Sequence, residues 1–596
     1  MKKLLNDFIS NIEIIKSINN ENNPTINSLE FDSRKIREGS LFFALPGTHV
    51  HGNDFVAKAI KAGASAVVFQ DTLPKEALQI AQINQVPLFQ VESTRFAMSP
   101  IAANFYDNPS SKMKIIGVTG TEGKSTTVFL VWQLLRSLGK RAGFFSTVQY
   151  SLGDEAINNP EHQTTPEAPI VQHQLYKMLN NGCEYAVVEA SSHGLSKKTN
   201  RLGNILFDAV AMMNVTHEHL EFHGTHEQYK SDKANLFRAL DTHAHVKNII
   251  NAASSSNKSL ELGSIIETVP AFGVVNLEDP SANYFISSTK HKVFGFTTHG
   301  EAGASLQGIE NQNTSKDQEQ LDSNQTINSH IQAVWKGTNI SSDTRGVNFT
   351  FSGPDTVTQS KINITQPNLR INLPGTFNVY NTMAAILLVA GMLQIPTKTV
   401  ISCLEDLRPV KGRMTLIDQG QPFEVLVDYA HTPSSFRTIF PPLRKQLIKK
   451  NTINESGRLM CLFGSGGERD VKKRPEQGKI AAQYCDIVFL CDEDPRKEDP
   501  IKVIEDIAAG CETNETIELR KNTIIGSDAI VRDKSLFLIT DRPTAIRKMF
   551  SIAKKGDIVL LLGKAHENSI IYKDYAMPYD EITEVKKALE EMGYKK

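Results

Sequence analysis

The stretch GVTGTEGKSTT, residues 117–127, holds the residue types that grip a nucleoside triphosphate. A glycine turn lets backbone N–H groups approach phosphate oxygens, and the helix behind it adds its positive end. Lys124 would neutralise the β- and γ-phosphates, and Ser125 would place a hydroxyl on Mg²⁺. The common loop, G-x-x-x-x-G-K-[ST], asks for glycine five residues before Gly123, where this chain has Val118. The match is to a compact form, G-T-x-G-K-[ST], made by Gly120, Thr121, Glu122, Gly123, Lys124 and Ser125, with Thr126 next. So short a match is as often a chance turn as a phosphate site. The strand-like MKIIGVTG before it and the helical TTVFLVWQLLRSLGK after it favour function.

Further groups of chemical interest follow. In EASSHGL (189–195) Glu189 can hold a second cation and Ser191 can offer a hydroxyl to a ligand. Ser-Ser-His is also an ordinary helix cap, and no G-x-S-x-G elbow makes it a hydrolase. NVTHEHLEFHGTHEQYKSDKANLF (214–237) brings His217, His219, His223 and His226 close together. Zinc is the rival reading there, but H-E-x-x-H is absent and no cysteine is near. His219 fits a mixed carboxylate and imidazole site for Mg²⁺, and the other histidines read as structural or solvated. Lys233, taken alone, reads as a surface lysine. Asn378 and Asn381 are three apart, so one helix face can present both to an adenine edge; an N-cap and a chance neighbour is the plainer alternative. Nearer the C-terminus come GRM (412–414), VDYAHTP (427–433), GSGGERD (464–470), DEDPRKEDP (492–500) and GKAHE (563–567). Arg469 and Arg496 are suited to clamping carboxylates, and Glu567 to holding an ammonium group.

These residues need elements to position them. CEYAVVEASSHG and FDAVAMMNVTHEH, like MKIIGVTG, are apolar runs that break into polar loops. They predict α/β units on a mainly parallel sheet, whose ligands gather at strand carboxyl ends. Residues 1 to about 110 form an earlier unit around LFFAL, SAVVFQ and a helical VAKAIKAGA. GIENQNTSKDQEQLDSNQTINSH is a polar insertion within about 296–370, and VNFTFSG and ITQPNLRINLPG alternate like half-buried strands. From about 411, RLMCLFGSGGERD, CDIVFLCDEDPR and GDIVLLLGKAHE repeat the strand-then-loop pattern. No G-x-G-x-x-G accompanies them, so no NAD site is predicted.

The bulk properties narrow the class. At 596 residues the chain needs several cores, and 40% hydrophobic with 22% charged residues is ordinary for a globular protein. A net charge of -1 gives no overall basic field for nucleic acid, and no apolar run approaches membrane-spanning length. MKKLLNDFISNIEIIKSINN reads as an amphipathic helix, not a signal peptide. Six scattered cysteines without a C-x-x-C pair read as reduced thiols of a cytosolic protein.

Taken together, the motifs resemble the Mur ligase family, the ATP-dependent amide-forming enzymes of peptidoglycan synthesis. GTEGKST, EASSHGL, NVTHEHLEFHG, PGTFNVYN, VDYAHTP and GKAHE occur in family order over nearly the whole chain. The tripeptide Asp32–Arg34 with PGTHVHG (46–52) is similar to the family's UDP-binding domain. SSHGL and the D-P-R of the last third bring the likeness nearest to the MurE branch, with MurF as the alternative within the family. A non-catalytic nucleotide-binding protein on the same fold is the alternative of another class. Against it, Lys124, Glu189, His219 and Lys233 are all present.

The resemblance implies a three-domain α/β architecture. Residues 1–110 would be a UDP-binding domain, 111–410 a central P-loop-type ATPase domain, and 411–596 a Rossmann-like amino-acid-binding domain. It implies ATP and Mg²⁺, a UDP-MurNAc-dipeptide and a diamino acid as substrates, and a role in cell-wall synthesis, cell shape and division. It implies a cytoplasmic monomer with no nucleic acid partner. The γ-carboxylate of D-Glu would take the γ-phosphate of ATP, and an amine would displace phosphate from the acyl phosphate. By the same resemblance Lys233 is carbamylated and joins Ser125, Glu189 and His219 around metal. Asn378, Asn381, Arg413 and Asp428 would contact the nucleotide. Ser33, Thr48, His49, Val50, Thr164, Thr165, Ser191 and Arg201 would hold the UDP-sugar peptide. Arg469, Glu493, Asp494, Pro495, Arg496, Gly563 and Glu567 would form the amino-acid pocket.

Three departures stand out. Glu122 replaces the usual loop Asn, and is expected to point away from phosphate or contact metal. Two extra residues lie between SSHGL and Arg201. The pocket reads EDPR where diaminopimelate-adding relatives carry DNPR. Arg496 suits the distal carboxylate of diaminopimelate, whereas Asp494 suits the bare ammonium of lysine or ornithine, and both stay open on sequence.

Overall fold

The computed structural model describes all residues except 48–49, 160–163, 217–219, 251–263, 300–330, 358–361, 452–456, 513–519 and 522–534. The chain forms two compact units: residues 1–336, 353–364 and 381–403, and residues 337–352, 365–380 and 404–596. The polar stretch 308–330 lies outside the described residues.

The first unit opens with strands β1 (Lys16–Ile18), β2 (Ser28–Glu30), β3 (Ser40–Ala44), β4 (Ala64–Phe69) and β5 (Leu88–Gln90) in the order β1-β5-β4-β3-β2. All neighbours are parallel except β1 and β5. Leu41 and Phe43 of β3 face one core and Phe42 and Ala44 the other, so both faces of the sheet are covered. The N-terminal helix expectation is corrected. Residues Asn6–Ile9 make a single helical turn, and the chain then turns into β1. Leu5, Phe8 and Ile9 are spent locally, with Phe8 edge-on to Phe105 at 5.1 Å, so the apolar face does not extend.

A second sheet of this unit holds β6 (Lys114–Thr119), β7 (Ala142–Phe145), β8 (Tyr185–Glu189), β9 (Ala209–Met212), β10 (Phe272–Asn276) and β11 (Lys292–Thr297). Their order is β7-β8-β6-β9-β10-β11, all parallel. The chain leaves β6 on one side for β7 and β8, then crosses to β9. The loops after β6, β8 and β9 therefore meet at a switch point, where α/β sheets bind ligands. Helix α1 (Lys124–Ser137) follows β6 and is buried on nearly every side, with Val128, Leu130, Val131, Leu134 and Leu135 inaccessible. Helix α2 (His226–Arg238) is capped by Thr225, whose hydroxyl accepts from the Gln228 amide at 3.1 Å. Its residues Tyr229 and Lys233, four apart, share the inward face.

The alternation in VNFTFSG and ITQPNLRINLPG is borne out by strands over Gly346–Pro354 and Asn363–Ile371. The second unit carries β12 (Thr415–Ile417), β13 (Glu424–Asp428), β14 (Leu459–Phe463), β15 (Ile487–Leu490), β16 (Ser535–Leu538) and β17 (Ile558–Leu562). Their order is β12-β13-β17-β14-β15-β16, parallel except for β12 with β13. Alternate residues of each strand again feed two cores, such as Cys461 on one side and Met460 and Leu462 on the other. VDYAHTP, GSGGERD, DEDPR and GKAHE all sit at the carboxyl ends, after β13, β14, β15 and β17. The cysteines are all free thiols.

Candidate active site

In the first unit the loop after β6 turns into α1 at Gly123. That residue has φ +81°, and a Cβ there would stand 2.5 Å from Asn381 Oδ1, so only glycine fits. Asn381 in turn accepts from the Thr127 hydroxyl at 3.3 Å. Lys124 Nζ lies back on its own loop, donating to the Thr121 carbonyl at 2.8 Å. The amides between Gly120 and Ser125, expected to be able to cradle phosphate, are not all open. Asn214 Oδ1 accepts from the Thr121 and Glu122 amides at 2.9 and 2.8 Å, which pins that half of the loop. Gly123, Lys124 and Ser125 stand at a helix start, where the first amides are free of intrahelical partners and suit an anion. Thr126 is buried in the same turn.

Glu189, at the end of β8, is 1% exposed. It accepts from Ser125 Oγ at 2.8 Å, the Thr147 amide at 2.8 Å and the Thr147 hydroxyl at 3.0 Å. A buried carboxylate touching the loop serine is an oxygen donor set of the kind that holds a hard cation, so these residues fit Mg²⁺. Lys233 overturns the surface reading. It is 1% exposed, donates to the Gly120 carbonyl at 2.5 Å, and its Nζ lies 4.6 Å from the centre of the Tyr229 ring. Tyr229 shares a 3.0 Å hydrogen bond with Thr121. His223 is structural: it bridges Asp232 at 2.7 Å and Ser192 at 3.1 Å. His226 is half-buried at the start of α2. His217 and His219 lie outside the described residues.

Three of the positions matched to the UDP-substrate, Thr165, Ser191 and Arg201, form a second cluster in this unit. Ser191 does cap the short helix Ser192–Leu195, and its hydroxyl also reaches Thr165 Oγ1 at 2.8 Å. Arg201 donates to the Thr165 carbonyl and to Glu167, both at 2.8 Å. Arg95 meets the same Glu167 oxygen at 2.9 Å. Two guanidinium groups thus converge on one buried carboxylate beside Thr165. Thr164 and Ser33 are half-buried, the latter in a turn capped by Asp32, and Val50 is exposed. Thr48 and His49 lie outside the described residues.

In the second unit, Asn378 donates to the Pro374 carbonyl at 2.6 Å. Asp428 is buried, which raises its carboxyl against the pull of Arg413. Its two oxygens accept the Met414 and Ala430 amides at 2.7 and 2.8 Å, so it fixes the GRM turn. The Arg413 guanidinium lies over the Tyr429 ring at 4.9 Å. The His566 ring lies tilted against Tyr429 with centroids 4.5 Å apart, and burial followed by the surrounding cations lowers its pKa, favouring the neutral form.

The amino-acid pocket answers part of the Asp494 question. Lys564, fully buried, reaches Asp494 Oδ1 at 2.8 Å and Glu567 Oε2 at 2.5 Å. The Ile571 amide donates to the same Asp494 oxygen at 2.9 Å. The added charge of Asp494 therefore has an internal cation beside it, one shared with Glu567. Arg496 sits in the left-handed region at φ +54°, and its buried Nε has no hydrogen-bond partner among the described residues. Glu493 Oε2 is likewise buried and unpartnered there. Gly563, at φ +96°, leaves room for it, since a Cβ would stand 2.6 Å away. Pro495 is buried, and Arg469 is exposed. Asp492 beneath them is pushed up to about 6, chiefly by burial, although it accepts from the Tyr572 hydroxyl at 3.0 Å.

Sequence reasoning passed over Asn214, Thr147, Tyr229, Arg95, Glu167 and Lys564. Asn214, Tyr229 and Lys564 stand inside motifs that were singled out. Arg95, Glu167 and Thr147 are placed only by tertiary contact.

Fold and site define a two-unit α/β protein with a glycine loop at the switch point of one sheet and a cluster of charged residues at the strand ends of another. Comparison with known proteins makes this specific. Family profiles match at 25–106 (Mur ligase family, catalytic domain), 118–262 (Mur ligase middle domain) and 412–565 (Mur ligase, glutamate ligase domain). A UDP-N-acetylmuramyl-tripeptide synthetase of Treponema denticola is 45% identical, covering 98% of each chain. A UDP-N-acetylmuramoyl-L-alanyl-D-glutamate–2,6-diaminopimelate ligase of Geobacillus kaustophilus is 30% identical over 96% of each. The solved structure of a ligase of that name shares the fold, with TM-score 0.54 at 23% identity over the whole of both chains. The chain belongs to the Mur ligase family.

Proposed function

We propose that the protein is an ATP-dependent ligase that adds meso-diaminopimelate to UDP-MurNAc-L-Ala-D-Glu during peptidoglycan synthesis, in the cytoplasm and as a monomer. Residues 1–110 serve the UDP moiety, 111–410 the ATP, and 411–596 the amino acid. The observation that carries the choice of amino acid is the Lys564–Asp494 pair. Lys564, shared with Glu567, offsets the Asp494 charge that argued for lysine or ornithine. The unpaired Arg496 Nε and Glu493 Oε2 then suit the carboxylate and ammonium of an amino-acid end.

The chemistry needs position and charge neutralisation more than covalent help from the protein. The amides of Gly123, Lys124 and Ser125 and the helix end hold the triphosphate, and Lys124 leaves Thr121 to meet its outer phosphates. Asn381 and, from the second unit, Asn378 and Arg413 serve the nucleoside. Thr165, Ser191 and Arg201, with Ser33, Thr48, His49, Val50 and Thr164, keep the UDP-peptide in place. Its carboxylate oxygen bonds to the γ-phosphorus as the bond to ADP breaks. The amine then attacks the acyl carbon, phosphate leaves with the bonding pair, and the nitrogen gives up a proton. Ser125, Glu189, His219 and a carbamylated Lys233 would hold Mg²⁺, which supplies neutralisation of the transferring phosphoryl group.

The test is phosphate release from ATP with UDP-MurNAc-L-Ala-D-Glu, each amine being offered separately. Turnover that requires both the UDP-peptide and diaminopimelate is expected, and Lys124→Ala should abolish it. ATP hydrolysis indifferent to both would overturn the proposal.

A further inference from the structure

The end of the β6–β11 sheet away from the phosphate loop carries a second cluster. Asp208 immediately precedes β9, and it is fully buried. Its Oδ2 is occupied by the Ile115 amide at 2.8 Å and by Lys247 Nζ at 2.5 Å. Lys247 spends its other two donors on the Met113 and Leu206 carbonyls, at 2.9 and 2.7 Å. Oδ1 faces two histidines instead. His245 Nδ1 is 3.1 Å from it and His243 Nε2 is 3.6 Å from it. One ligand atom from each of the three residues lies within 4.8 Å of the others.

The hydrogen bonds say which ring nitrogens carry protons. His245 Nε2 lies 2.8 Å from the Leu240 carbonyl, which can only accept, so the proton is on Nε2. In the neutral ring this leaves an Nδ1 lone pair aimed at a carboxylate oxygen. His243 Nε2 is buried and, apart from the 3.6 Å approach to Asp208, has no hydrogen-bond partner among the described residues, while its Nδ1 lies 3.4 Å from the Thr242 hydroxyl. The 3.1 Å His245 Nδ1–Asp208 Oδ1 contact is a hydrogen bond when Nδ1 carries a proton; with both rings neutral and these nitrogens bare, three lone pairs converge and a cation must stand in the proton's place. A metal at about 2.0–2.1 Å from tetrahedral ligands separates them by roughly 3.3 Å, and the two observed separations lie on either side of that. The outer contacts also have the form found around metal ligands. The far nitrogen of His245 donates to a backbone carbonyl, and the second carboxylate oxygen is held by an amide and a lysine. His245 adopts φ +52°, a costly conformation for a residue with a side chain, and it aims the ring at Asp208.

We propose that Asp208, His243 and His245 bind a structural divalent transition metal such as zinc, with water completing the tetrahedron. The site lies at the amino-terminal ends of the strands, so it is independent of the Mg²⁺ expected at Glu189 and of the ligase reading. It ties the segment after α2 to the start of β9.

The test uses the full-length protein, stripped with chelator and dialysed against Zn²⁺ in excess Mg²⁺, with bound zinc counted by mass spectrometry. Co²⁺ replaces zinc in a parallel sample. One zinc per chain is expected, with the visible bands of four-coordinate Co²⁺. His243→Ala, chosen because its Nε2 makes no hydrogen bond, should keep the circular dichroism of the parent. It should weaken zinc by more than the roughly 10–100-fold that loss of an outer partner costs. His219→Ala should retain the bound zinc and the bands. Wild-type protein without stoichiometric zinc, or a His243→Ala variant with unchanged zinc and cobalt spectra, would overturn the site. In that outcome His245 is an imidazolium paired with Asp208.

Discussion

Replacing Lys564 with Met removes the cation between Asp494 and Glu567 while keeping most of the side chain's volume. Lys564 is fully buried and Asp494 is 9% exposed, so water can replace little of the lost pairing. Breaking a buried pair from one side costs about 3–5 kcal/mol, because a charge is left uncompensated. The loss should appear where the pair is anchored, at the Ile571 amide that donates to Asp494 and in the strand Ser569–Ile571. The chain has two units, so a single unfolding free energy is not well defined, and hydrogen exchange at that amide is the better assay. A cost of 3–5 kcal/mol speeds exchange by roughly two to three and a half powers of ten. Lys564→Met with Asp494→Asn should recover most of it, since a neutral carboxamide still accepts from Ile571. In the single variant, the bare Asp494 charge should also raise the KM for diaminopimelate and improve turnover of lysine. Exchange that changes less than tenfold, or a double variant no slower than the single one, would refute the claim that Lys564 neutralises Asp494.

Lys233→Ala should abolish ligation, with partial rescue by short carboxylic acids that replace a carbamate; full activity without them would remove Lys233 from the site. Arg496→Ala should raise the KM for diaminopimelate by roughly 10–100-fold, the worth of a hydrogen bond to a charged group at about 1.5–3 kcal/mol; steady-state kinetics with varied amine checks this. Asp492→Asn should be stabilising at high pH. The carboxyl is raised from 3.8 to about 6, so the protonated form is favoured in the fold and its advantage is lost as pH rises through 6. Above that pH the ionised group costs about 3 kcal/mol at 1.36 per pH unit. Melts at pH 8 should show the gain, shrinking toward zero as pH falls to 4.

The sheets were legible because each motif follows an unbroken apolar run. MKIIGVTG, CEYAVVEA and GDIVLLLG are strands whose two faces are both covered, so continuous hydrophobicity and a polar break locate strand and loop together. Asp428 stood out in the sequence, but one of its two amide contacts depends on a turn fourteen residues earlier. The burial of Lys233 was not legible from composition, since α2 is polar along most of its length and only Tyr229, Asp232, Lys233, Ala234, Leu236 and Phe237 turn inward. The partner of Asp494 was missed, because an ion pair spanning seventy residues leaves no local pattern. The N-terminal segment failed for the opposite reason. Its lysines and apolar residues suggested helical periodicity, but its few buried side chains are satisfied within a single turn.

The most direct measurement is a competition. Purified protein receives ATP, Mg²⁺ and UDP-MurNAc-L-Ala-D-Glu with equimolar meso-diaminopimelate, lysine, ornithine and D-alanyl-D-alanine, and the UDP-linked product is weighed by mass spectrometry. The account predicts one product, carrying diaminopimelate and accompanied by one ADP and one phosphate. A product carrying lysine or ornithine, or no product while ATP is consumed, would contradict it.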